Sequence, residues 1–92
     1  MEVITFDYID KADPMQAETY LVMKLRSFFR MLSSTVQKPT SKEIIQEGEK
    51  ILKAHEIIKR KYPFIANRFV HQISMVKEEI EKAVVIGGGA NE

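Results

Sequence analysis

Few residues of this chain could do chemistry. There are two histidines, His55 and His71, a basic run at Lys59, Arg60 and Lys61, and one carboxylate, Glu18, set among apolar neighbours. A metal site on helices would need further ligands at helical spacing, such as paired Glu-x-x-His or His-Glu-x-x-His segments, and neither occurs. With no cysteine in the sequence, thiolate ligands, thiol nucleophiles and disulfides are all excluded. No serine, histidine and acid assemble into a nucleophilic set, and the carboxylates cluster at exposed ends instead of converging on a pocket. The chain is therefore expected to be non-enzymatic and to need no cofactor or metal.

His55 belongs to a stripe, Ile44, Gly48, Ile51, His55, Ile58 and Tyr62, whose alternating steps of four and three put every member on one helical face. The stripe reads as a core face, so His55 is expected to be neutral and buried among Val22, Phe69 and Ile73. His71 projects away from the core face of the following helix, so the two histidines should not share an ion. Ala54, His55 and Lys59 superficially resemble a histidine phosphotransfer module. That family, however, carries an exposed His with Lys three residues on and then Gly, where this chain has Ile58 and Lys59, and the reading is set aside. Gly48 costs about 1 kcal/mol relative to Ala inside a helix. The expected offset is a space that receives the ring of Phe28 or Phe29.

The formal net charge of +1 conceals an uneven distribution. Residues 1–23 carry one lysine against five acids, residues 24–68 carry eleven basic side chains against four acids, and residues 69–92 carry two lysines against four acids. Lys59, Arg60, Lys61 and Arg68, with Arg26 and Arg30, could grip phosphates, which makes a nucleic-acid-associated factor the alternative function. The preferred reading is that they complement the negative end of a helix dipole and pair with Asp10, Asp13 and Glu18. Glu18 itself should meet Lys59 or the Tyr62 hydroxyl. A strand followed by helices resembles the ribbon-helix-helix repressors, but their helices are much shorter and Asp7 would oppose DNA.

Apolar residues expected to face outward point to a different kind of partner. Tyr20 and Met31 share a flank of the first helix, Ile57 points away from the core face of the second, and Phe64 and Met75 flank Arg68 and His71 on the third. Recurrence at helical spacing suggests an interface. The function ranked first is a protein–protein interaction or assembly module, working as a homodimer or on another protein.

The elements that must position these residues follow from their punctuation. Residues 3–8 alternate apolar and polar side chains, so residues 1–13 are expected to form an extended arm or short strand. Asp13-Pro14 with Gln16 opens one helix, and Thr40 with Glu43 opens a second. Pro63 breaks the second, leaving either a tight corner at 59–63 or one long kinked helix. The third places Ile65, Ala66, Phe69, Ile73, Val76, Ile80, Ala83 and Val84 on one face, and Gly87, Gly88 and Gly89 should stop it, leaving 87–92 as a disordered tail. The expected fold is all-α, an antiparallel three-helix bundle with helices at 14–36, 41–62 and 64–86. The first twenty residues have no basic segment followed by an apolar run, and no apolar stretch approaches the roughly 18 residues that cross a bilayer. A cytoplasmic chain without membrane contact is the expectation.

Overall fold

Helix α1 (Pro14–Ser33) begins where the sequence places it. The Asp13 carboxylate accepts from Gln16 N–H at 2.7 Å while Gln16 Oε1 accepts from Asp13 N–H at 3.0 Å, so two of the N–H groups that a helix start leaves unpaired are satisfied reciprocally. Helix α2 (Ser41–Lys61) starts in the same way, with Glu43 N–H donating to Thr40 Oγ1 at 3.1 Å and Thr40 N–H to Glu43 Oε1 at 2.9 Å. A short α3 (Pro63–Asn67) and a long α4 (Val70–Ala90) follow. These come from a computed structural model that describes residues 11–90, among which every regular element is an α-helix. None of the described helices is long and apolar enough to cross a membrane. Residues 1–10, most of the expected arm, and residues 91–92 of the expected tail lie outside the described residues.

Three boundaries differ from expectation, two of them with a visible cause. Helix α1 ends at Ser33 rather than residue 36, because a run of hydroxyls offers the backbone other partners. Ser33 Oγ donates to the Phe29 carbonyl at 2.9 Å and Ser34 Oγ accepts from Gln37 N–H at 3.2 Å. Val36, which lies beyond the helix end, is consequently 92% exposed.

At Tyr62 the backbone leaves the helical region (φ −137°, ψ 72°), so the question left at 59–63 resolves as a corner between two helices. The third helix is then itself interrupted. Arg68 N–H donates to the Ile65 carbonyl at 3.0 Å and Phe69 N–H to the Ala66 carbonyl at 3.1 Å, both three residues back. His55 Nε2 lies 3.1 Å from that same Ala66 oxygen. A carbonyl can only accept, so Nε2 carries the proton, and both acceptor positions of Ala66 are used by partners other than the i+4 N–H of a continuous helix. The third difference is at the other end, where α4 runs through Gly87, Gly88 and Gly89 to Ala90 instead of stopping at them. Glycine lowers helix propensity without forbidding the helix.

Helix α2 is the element on which the others pack, most extensively α4 and then, to a similar extent, α3 and α1. It runs antiparallel to α4 and α1. Gly48 lies against Ile80 and Val76 while His55, further along α2, reaches back to Ala66, and the Tyr62 hydroxyl just past the end of α2 meets Ala12 just before the start of α1. The core collects Ala17, Leu21, Leu25 and Phe28 from α1, Ile51, Ala54 and Ile58 from α2, Ile65 and Ala66 from α3, Phe69 from the turn, and Ile73 and Val76 from α4. The start of the chain is tied in as well, since Ala12 is buried and its carbonyl accepts from the Tyr62 hydroxyl at 2.9 Å.

Gly48, Ile51 and Ile58 of the expected stripe are buried, but two expectations about it are overturned. Ala54, not His55, is fully buried, and His55 is half-buried. The expected neighbour Val22 is 36% exposed. Gly48 is buried, but a Cβ at that position would meet Ile80 and Val76 of α4, not Phe28 or Phe29. Phe28 instead stacks edge-on against Phe29 (centroids 5.5 Å, 76°) and lines a hollow with Glu47 and Ile51. Both errors have one origin: α2 has two neighbours, and the glycine serves the second.

Candidate functional site

The antiparallel pairing of α2 with α4 leaves a cleft of about 670 Å³ on one side of the molecule. Its wall on α2 is built from Leu52, Glu56 and Lys59, spaced four and three apart, with Lys53 beside Leu52 and three residues before Glu56, so that together they form one broad helical face. The α4 wall follows the same rule with Val70, Ile73, Ser74 and Lys77. Helix α3 joins the two walls, and its Ala66 and Asn67 line the cleft as well. Leu52, Val70 and Ile73 make it apolar, while Lys53, Lys59 and Lys77 face a single lining carboxylate, Glu56, among the described residues. His55 also lines it and is held by its bond to the Ala66 carbonyl. That bond fastens α3 to α2. His55→Ala is expected to lower stability by about 0.5–1.5 kcal/mol, the usual net value of one hydrogen bond, read as a melting temperature a few degrees lower by circular dichroism. An unchanged melting temperature would mean that the contact does not hold the corner.

The residues expected to grip nucleic acid are dispersed. Lys59 lines the cleft, but consecutive residues are turned about 100° around a helix, so the neighbouring Arg60 and Lys61 do not share its direction. Arg68 is engaged elsewhere, its guanidinium donating to Glu18 Oε2 at 2.8 Å. Glu18 thus pairs with Arg68 and not with Lys59 or Tyr62, and both side chains remain well exposed, so the pair adds at most about 1 kcal/mol. Arg26 and Arg30 are exposed on α1. Lys53 and Lys77, which complete the basic lining of the cleft, were not singled out from sequence. Their spacing was readable on each helix, but not the pairing of the two helices.

Among the residues expected to face a partner, Phe64 is 58% exposed, with its ring edge-on to Tyr62, and Met75 is 41% exposed. Tyr20, Met31 and Ile57 are instead half-buried and pack against the core. Ile57 does not point away from it, because α1 and α4 together cover more of α2 than one stripe. The Lys24 ammonium lies 5.7 Å from the centroid of the Tyr20 ring. A surface missed from sequence lies near the end of α4. Ala83 is buried there while Val84, Val85 and Ile86 are 51%, 73% and 61% exposed. Val85 and Ile86 line an open hollow with Glu78, Glu81 and Lys82.

Among the described residues, no group of three or more His, Asp or Glu side chains could hold a metal ion. No protein-family model, no curated protein and no solved structure matches this chain.

Proposed function

We propose that this protein is a non-enzymatic helical interaction module, an antiparallel three-helix bundle that associates with a second copy of itself through the end of α4. The observation that carries the reading is the turn Ala83, Val84, Val85 and Ile86, which is apolar around the whole helix although only Ala83 is buried. A helix apolar on every side is ordinarily surrounded by other protein. The charged residues Glu78, Glu81 and Lys82 border Val85 and Ile86, giving the apolar centre and polar rim of a protein interface. A two-fold arrangement lets the same patch serve both copies. Phe64 and Met75 add exposed apolar surface that a partner could cover. A cysteine-free chain of this kind suits a reducing cytoplasm. Nucleic-acid association draws less support, because Arg68 is taken by Glu18 and the basic run at the end of α2 fans around the helix.

Light scattering after size exclusion should report twice the monomer mass at micromolar concentration. Val85→Asp combined with Ile86→Lys should give a monomer with unchanged helical circular dichroism. A native protein that stays monomeric at high concentration, or a double variant that remains dimeric, would overturn the reading.

A further inference from the structure

We propose that the cleft between α2 and α4 is a binding site for a small organic phosphate of about nucleotide size. This does not depend on self-association, since none of the cleft residues belongs to the apolar end of α4. Its volume of about 670 Å³ falls within the range of about 300–1,000 Å³ typical of small-molecule sites. Lys53 and Lys77 stand on opposite walls, and Lys59 lies six residues further along α2, about 9 Å along the helix at 1.5 Å per residue. Ammonium groups act as point charges towards phosphate, and three of them spread along one cleft suit a chain of phosphates better than a lone carboxylate. Between the lysines, Leu52, Val70 and Ile73 offer an apolar surface for a flat organic body. Asn67 and Ser74 supply neutral hydrogen-bonding groups to orient it. Single-stranded nucleic acid has the same phosphate and base chemistry, but it would have to leave the cleft at both ends. The chain crosses from α2 to α4 through α3, whose Ala66 and Asn67 line the cleft, so a strand running along it would meet that connection, which favours a small molecule.

The test is an amide-resolved NMR titration of the full chain with ATP at low salt, run beside adenosine, inorganic pyrophosphate and a single-stranded oligodeoxynucleotide. Saturable ATP-dependent shifts are expected at Asn67, Ser74 and Lys77. Pyrophosphate should bind more weakly than ATP, and adenosine most weakly. Lys53→Gln and Lys77→Gln should each weaken ATP binding about tenfold, the scale of one charge-assisted contact. Lys42→Gln, away from the cleft on α2, should not change it. Circular dichroism of each variant keeps loss of binding distinct from loss of fold. No saturable shift with ATP, equal affinity for ATP and pyrophosphate, tighter binding of the oligonucleotide through the same lysines, or folded Lys53 and Lys77 variants that bind as the parent does would each overturn the proposal.

Discussion

Ile58→Ala is expected to destabilise the protein by about 2–5 kcal/mol and to lower its melting temperature by more than about 10 °C. Ile58 is 1% exposed and belongs to the cluster shared by all four helices, so truncation removes buried apolar atoms and leaves a cavity whose walls come from different elements. Such a cavity closes only if helices move together, which puts the cost towards the upper part of that range. Total stability for a domain of this length is on the order of 5–14 kcal/mol, so the variant should populate unfolded chain well below the parent's transition. Val36→Ala is the matched control: its side chain is 92% exposed, and the change should stay within about 0.5 kcal/mol. Denaturant titrations of the two variants measure both quantities. Comparable midpoints for Ile58→Ala and the parent would mean that α2 does not present this face to the core.

Gly48→Leu should cost about 1–3 kcal/mol or more, because α4 occupies the space a side chain would need. A Cβ on Gly48 would lie 2.7 Å from both Cγ1 and Cδ1 of Ile80 and 3.4 Å from Val76 Cγ1. The Ile80 Cδ1 can swing aside by rotating its terminal bond, but Cγ1 moves only if the side chain leaves its χ1 rotamer or the helices separate. Even Gly48→Ala therefore sets a gain of about 1 kcal/mol in helix propensity against crowding of Ile80. The partner is identified by rescue. Ile80→Ala introduced into Gly48→Leu should recover stability, leaving the double variant at least about 1 kcal/mol better than the sum of the single changes. Phe28→Ala should not do so. Rescue by Phe28→Ala and not by Ile80→Ala would restore the expectation that the glycine accommodates a phenyl ring from α1.

Much of the fold was legible because it rests on interactions local in the chain. Asp13 with Gln16 and Thr40 with Glu43 make both capping boxes within four residues, and Pro63 removes a donor wherever the helix sits. The core face of the last helix was also readable. Of the expected face, Ile65, Ala66, Phe69, Ile73, Val76 and Ala83 are buried and Ile80 is half-buried, since a helix with one main neighbour buries one stripe, but Val84 at its far end is 51% exposed and does not belong to it. What remained hidden is the interruption at Arg68 and Phe69, which carries no proline or glycine. It coincides with the contact from His55, eleven residues before Ala66 in the chain.

The sequence by itself determined where helices begin, that they are amphipathic, that no thiol chemistry is available, and that the basic side chains lie in the middle of the chain. Which of those side chains meet was decided only by tertiary structure. Periodicity specifies a face to within about one residue's rotation of 100°, and a helix between two neighbours uses a face wider than that. Gly48, Ile51 and Ile58 are buried as that face requires, but whether Gly48 meets Phe28 or Ile80, and whether His55 is enclosed or lies on Ala66, depends on which helix covers each part of the face. Lys53, Lys59 and Lys77 share a cleft because α2 and α4 pack antiparallel at one particular register, and that register is set by side-chain interlock between segments distant in the chain.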